Sequence, residues 1–181
     1  DHENQHRHDM LKTYSETKGL ASFDIGGYHI TLTAEADRID LMADGRVQIV
    51  DYKTGVIPNI GQVESGINGQ LIIEAMIARR QGFADMNTDP QMDMEMIKLA
   101  YWKLSGTASK PVEIHHRPGK KKTIADVIPH IEQQLINVMQ PDWGFASEVI
   151  AHPSLKYSDY RHLARVREWS ISSVDMEDRD E

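Results

Sequence analysis

Hydrophobic and polar positions alternate most cleanly from Tyr28 to Glu35. Tyr28, Ile30, Leu32 and Ala34 fall on one side, and His29, Thr31, Thr33 and Glu35 on the other. A period of two is the mark of a strand with one buried face. The segments Asp37 to Met42 and Arg46 to Lys53 continue it on either side of Ala43-Asp44-Gly45, which reads as a hairpin turn. Upstream, Gln5 to Thr17 reads as a short helix closed by Gly19. Downstream, Thr54 to Gly69 reads as a loop, carrying Gly55, Pro58, Gly61 and Gly66.

A helix is predicted over Gln70 to Gln81, with Leu71, Ile72, Ala75 and Ala78 on its apolar side and Gly82 as its stop. The apolar run Met94 to Leu104 fits a buried strand, which Val112 to His116 would pair across a Ser105–Lys110 turn. A last helix is predicted over Thr123 to Met139, with Pro129 near its first turn, and Ser172 to Glu181 reads as a charged, disordered tail. The order predicts an α/β fold, a central mixed sheet flanked by helices. It forms one domain over residues 1–171, followed by a tail over 172–181.

Register decides which acids of the central hairpin meet. If Asp44-Gly45 alone formed the loop, Asp51 would sit opposite Arg38 and each face would mix apolar with polar residues. With a three-residue loop and Gly45 in the left-handed region, Leu41 opposes Val47, Ile39 opposes Ile49, and Asp37 opposes Asp51. A slip of one residue turns every side chain over, so burial selects the second register. It brings Asp37 and Asp51 together at the end of an apolar face, with Glu35 and Lys53 one rung further on. Opposed carboxylates repel and call for a cation. Lys53 supplies part of it, and a divalent ion with hard oxygen ligands, Mg2+ or Mn2+, is the natural remainder.

Composition narrows the chemistry. The 181 residues include no cysteine, which removes disulfides, thiolate zinc sites and thiol nucleophiles from this chain. With 20 Lys+Arg against 28 Asp+Glu, the net charge of -8 argues against binding nucleic acid through bulk charge alone. No apolar run approaches the roughly 20 residues that cross a bilayer, so no membrane partner is expected. The polar start at Asp1 has no signal-peptide pattern and reads as a piece of something longer, with a cytoplasmic setting expected. No phosphate-binding G-x-x-x-x-G-K-[ST] loop is present, so a helicase motor would lie in another polypeptide segment.

The runs Ala34-Glu35-Ala36-Asp37-Arg38-Ile39-Asp40 and Ile49-Val50-Asp51-Tyr52-Lys53-Thr54-Gly55 are followed by Gln70 opening a helix. Together they resemble the RecB-like branch of the PD-(D/E)XK nucleases. More narrowly, with Asp159 to Ser170, the chain is similar to the C-terminal nuclease domain of AddB proteins in their alphaproteobacterial form. The likeness spans about Leu20 to Ser170. It implies a Mg2+- or Mn2+-dependent deoxyribonuclease, the exonuclease domain of an AddAB-type helicase–nuclease in double-strand break repair and recombination. Its partners would be DNA, an AddA-type subunit and the rest of a parent AddB chain.

The resemblance implies Asp37 and Asp51 as metal-binding acids, the Tyr52 carbonyl as a further ligand, Lys53 as the catalytic lysine, and Gln70 as an orienting residue. Where the family's Q-x-x-x-Y motif has tyrosine, this chain has Glu74. His8 and Glu16 are candidates for the ligand that the family places on an upstream helix. The iron–sulfur cluster of some relatives needs cysteines, and this chain has none. The missing tyrosine and the acidic balance favour an alternative, a catalytically inactive nuclease-fold module that holds DNA or docks a subunit.

Other residues carry less. His115 and His116 are strand neighbours and face opposite ways. Lys120 to Lys122 reads as a solvated turn with phosphate contact as the rival reading, and Tyr160, Arg161, Arg165, Arg167 and Trp169 as an anchoring helix. The nine methionines read as core filler.

Overall fold

A computed structural model describes residues 9–84, 86, 92–107 and 110–143. The chain divides into two units, Asp1–Met139 and Gln140–Glu181, and every element below belongs to the first. His8, the Asp159 to Ser170 segment and the 172–181 tail lie outside the described residues.

Five strands form one sheet in the order of the sequence: β1 (Met10–Ile25), β2 (Tyr28–Met42), β3 (Val47–Lys53), β4 (Ile97–Thr107) and β5 (Lys110–Arg117). Neighbours are antiparallel except β3 and β4, which run parallel, so the sheet is mixed as expected. The β3–β4 crossover carries two helices, α1 (Ile60–Glu64) and α2 (Gln70–Arg79), and α3 (Ile124–Met139) follows β5. No described helix is long and apolar enough to cross a membrane.

Of the helix expected over Gln5 to Thr17, the part from Met10 on is instead strand β1, and residues 5–8 lie outside the described residues. Gly26 and Gly27 both take positive φ, +58° and +85°, the backbone that a two-residue hairpin turn requires. That turn folds Leu20, Ala21 and Phe23 back on Thr33, Leu32 and Ile30, and the pairing runs on to Thr13, whose hydroxyl donates to Asp40 Oδ1 at 2.8 Å. Long-range pairing thus overrides the local helical pattern.

The loop expected from Thr54 to Gly69 contains α1. Asn59 and Gln62 cap its start reciprocally, each side chain accepting from the other's backbone N–H at 3.0 and 2.9 Å. Helix α3 opens in the same way, with Thr123 and Asp126 as the reciprocal pair. The apolar run at Met94 starts with a 3-10 turn, Met94–Met96, before β4 begins at Ile97.

The hairpin closes as the three-residue register requires. Met42 N–H donates to Arg46 O at 2.8 Å, Gly45 has φ +84°, and Leu41 pairs with Val47 and Ile39 with Ile49. Helix α2 packs on β1 to β4 and on α3. It is buried nearly all round, through Leu71, Ile72 and Glu74 to Ala78, rather than on one stripe. Fully burying each of Leu71, Ile72 and Ile77 contributes roughly 1.5–3 kcal/mol. Met76, Met92 and Met94 fill this core beside Ile39, Ile49 and Leu99.

The opposite face of the sheet carries a small cluster of Val50, Ala100 and Trp102. Beside it Arg38 Nε donates to both oxygens of a buried Asp40 at 2.9 Å, while its guanidinium lies 4.9 Å from the Trp102 ring centre and donates to Tyr52 Oη at 3.2 Å.

Helix α2 does not stop on Gly82 as expected: Gln81 takes the left-handed position, φ +56°. Gly82 serves a close approach instead. Its carbonyl accepts from Leu20 N–H at 2.8 Å, and a Cβ there would collide with the Leu20 carbonyl oxygen. Gly82→Ala is therefore expected to destabilise the chain by about 1–3 kcal/mol, read as a lower urea midpoint. An unchanged midpoint contradicts the packing argument.

Candidate active site

The β2–β3 ladder opens where the acids lie. Paired residues end at Arg38 and Val50. One step beyond, Tyr52 N–H donates to the side chain of Asp37, to Oδ2 at 2.9 Å, and not to a β2 carbonyl. On the other side, the β1–β2 pairing skips Glu16 and Asp37, and Glu16 has φ +48°. Asp37 therefore sits at a local irregularity with broken pairing on both flanks. Its carboxylate bridges the fork.

Asp51 comes from β3, flanked in the ladder by Tyr101 of β4. It is 2% exposed, and Lys53 Nζ lies 3.0 Å from Oδ1, to which it donates, and 2.9 Å from Oδ2. Burial pushes the Asp51 carboxyl above the usual carboxylate range; Lys53 pulls it back, and the charge of Asp37 pushes it further up. Asp37 and Asp51 thus meet at the fork with Lys53 beside them. Glu35 does not join them. The irregularity at Asp37 breaks the strict alternation, so Ala36 is buried and Glu35 is exposed, beside Lys18 and Thr33 in a separate groove.

Gln70, the first residue of α2, donates through Nε2 to Glu74 Oε1 at 3.2 Å, one turn along the helix. It also supports the charged form of Asp51. Glu74 is 1% exposed, and its Oε2 has no hydrogen-bond partner among the described residues. Burial first, then the charges of Asp51 and Asp37, raise its carboxyl to about 8. Like a tyrosine phenol, the carboxyl at this position is neutral near pH 7 in the metal-free chain.

Tyr101 lies beneath Lys53, whose Nζ is 5.8 Å from the ring centre, and its hydroxyl donates to Asn68 Oδ1 at 2.8 Å. Tyr101 and Asn68 were not singled out in the sequence. The β3–β4 parallel register that seats Tyr101 beside Asp51 leaves no local signal. Of the upstream candidates, Glu16 is exposed on β1 rather than on a helix. His115 and His116 do face opposite ways, paired with Tyr101 and Ala100. Lys120 and Lys122 border a cavity of about 640 Å³ with Lys98 and Arg117, at the start of α3.

Among the described residues no three His, Asp or Glu side chains are grouped to hold a metal. Two carboxylates at the fork suit a small hard cation that keeps water ligands, as Mg2+ does, better than an all-protein cage. Asp37 and Asp51 fit that demand, and the buried, unsatisfied Glu74 Oε2 behind them marks a polar centre short of positive partners.

Comparison with known proteins bears on this arrangement. Residues 2–149 match the PD-(D/E)XK nuclease superfamily. An uncharacterized protein of Rickettsia bellii (strain RML369-C) is 29% identical over 167 residues, covering 88% of this chain and 20% of that protein. An uncharacterized protein of Rickettsia conorii (strain Malish 7) is 37% identical over 84 residues, covering 46% of this chain and 10% of that protein. The chain thus spans a fifth or less of the length of these relatives. A crystal structure of SSO0001 aligns with a TM-score of 0.41 at 15% identity, over 68% of this chain and 50% of that one.

The raised Glu74 carboxyl has a pH signature. In metal-free folded chain it holds its proton up to about pH 8, whereas the unfolded carboxyl ionises near 4.5. The folded state binds the extra proton in that window, so stability falls as pH rises from about 4.5 to about 8, and Asp51 adds in the same direction. Glu74→Gln is expected to flatten this dependence and to stabilise the EDTA-treated chain at pH 8 by on the order of 2–4 kcal/mol. Parallel melting-versus-pH curves for the two proteins would count against it.

Proposed function

This chain belongs to the PD-(D/E)XK nuclease superfamily, and from that premise we propose that it is a metal-dependent deoxyribonuclease domain. In this reading it is the exonuclease module of an AddAB-type helicase–nuclease acting in double-strand break repair and recombination. The observation that carries the proposal is the fork: Asp37 bridging β2 to Tyr52 N–H, with Asp51 and its Lys53 partner on the adjoining rung. The much greater length of the rickettsial relatives supports a parent chain with further segments. An AddA-type partner subunit, cytoplasmic placement and DNA as substrate belong to the same proposal.

Hydrolysis adds a water oxygen to phosphorus while one P–O ester bond breaks, and the departing oxygen takes up a proton. Asp37, Asp51 and the Tyr52 carbonyl would hold Mg2+ or Mn2+. Once bound, that ion polarises the phosphodiester and makes water a better nucleophile. Lys53 is the residue placed to oppose the negative charge that builds on the phosphoryl oxygens, because its ammonium is fixed on Asp51 while remaining partly exposed. Gln70 favours the charged form of the Asp51 carboxyl, adding to the larger effect of Lys53. In the metal-free chain Glu74 is neutral near pH 7 and lines the site without adding a third negative charge.

The test is cleavage of linear DNA in Mg2+. Asp51→Asn and Lys53→Ala are each expected to lower the rate by about 100-fold or more, and EDTA to abolish it until Mg2+ or Mn2+ is returned. Equal rates in wild type and both variants would remove the catalytic reading and leave the inactive docking module. Preference for an RNA of the same sequence would reassign the substrate.

A further inference from the structure

The register carries the site past Lys53. In the parallel ladder Lys53 pairs with Lys103 on β4, and in the antiparallel ladder Lys103 pairs with Glu113 on β5. Directly paired residues share a face of the sheet. Lys103 therefore stands on the face that carries Asp51, Lys53 and Tyr101, one strand further toward the edge. Like charges in register normally destabilise a sheet. Here a second lysine beside Lys53 is retained in a chain of net charge -8.

Its surroundings leave that charge uncompensated. Lys103 is half-buried, and among the described residues no carboxylate forms an ion pair with it. The carboxylate opposite it, Glu113, has Oε2 3.5 Å from His115 Nε2 instead. A third cation adjoins the same face. The half-buried Arg117 guanidinium lies 6.0 Å from the Tyr101 ring centre and donates to the carbonyls of Pro58 and His116. Asp37, Asp51 and Glu74 gather toward β2 and α2, while Lys103 and Arg117 lie toward the β4–β5 side, where Glu113 is the acid opposite Lys103.

We propose that Lys103 binds a backbone phosphate of the substrate strand next to the scissile one, so that the strand runs from the Asp37–Asp51 fork across β4 toward β5. The proposal rests on the nuclease reading and adds the direction of the substrate strand to it. A phosphate contact of this kind positions a strand without reading its sequence, and it is salt-dependent.

The experiment compares wild type, Lys103→Gln, Lys103→Arg and Lys98→Gln in the full chain, measuring kcat and KM on linear DNA with Mg2+ between 50 and 200 mM salt. Lys98 is on β4 but alternates to the face of Ala100 and Trp102. Lys103→Gln is expected to raise KM about three- to tenfold with kcat within about twofold, and to reduce the slope of log KM against log salt by about one. Lys103→Arg keeps the wild-type values, and Lys98→Gln changes neither. An unchanged KM and slope in Lys103→Gln, or an equal shift in Lys98→Gln, overturns the proposal while leaving the nuclease intact. If wild type cleaves no DNA, the nuclease reading fails by itself, and the salt slope of DNA binding across the same variants still decides Lys103.

Discussion

The Asp37 carboxylate occupies a place where a backbone carbonyl would ordinarily stand. A strand pair that parts leaves its last N–H groups to find partners outside the ladder. By accepting from Tyr52 N–H, Asp37 gives that donor a partner where β2 leaves β3, and the gap so opened is where Asp51 and Lys53 emerge. The left-handed Glu16 on β1 is the counterpart of this irregularity on the other flank. Were the ladder to continue, the apolar face would close over the fork.

Around that fork the charges are arranged against one another. The charge of Asp37 pushes the Asp51 carboxyl up, the charges of both push Glu74 up, and a single ammonium is paired directly with the more buried of the two hairpin acids. One acid relieves the repulsion by staying neutral. The other two remain as hard oxygen donors in a setting where desolvation strengthens any cation they meet. Burial pushes both Glu74 and Asp51 up, and Lys53, paired with Asp51, pulls Asp51 back.

Much of this was legible in the sequence where the chemistry is local. Ala43-Asp44-Gly45 fixed the hairpin because only one loop length keeps Leu41, Ile39, Val47 and Ile49 together, and that register brings Asp37 to Asp51. The α2 and α3 helices and the β4–β5 pair followed from periodicity and turn residues. What failed were predictions made against long-range pairing. Gln5 to Thr17 shows a short helical pattern, yet Gly26-Gly27 was the stronger signal, a two-residue turn that commits Met10–Ile25 to a strand. Glu35 was extrapolated along an ideal alternation that the irregularity at Asp37 breaks. Tyr101, Asn68 and Lys103 reach the site only through a parallel ladder between distant segments, for which no neighbouring residue in the chain gives warning.

That parallel ladder also orders events in time. The hairpins β1–β2 and β2–β3 join near neighbours across turns of two or three residues, whereas β3 meets β4 only after the long α1–α2 crossover has closed on itself. Closing the longer loop carries the larger entropic cost, so local hairpins form more readily than the β3–β4 seam. Asp51 is walled by Tyr101, which lies beyond that closure, and by Glu74, which lies within the closing crossover. A chain that has made its hairpins but not the seam has an open, solvated pair of acids, and the poised centre is among the last features the polypeptide acquires.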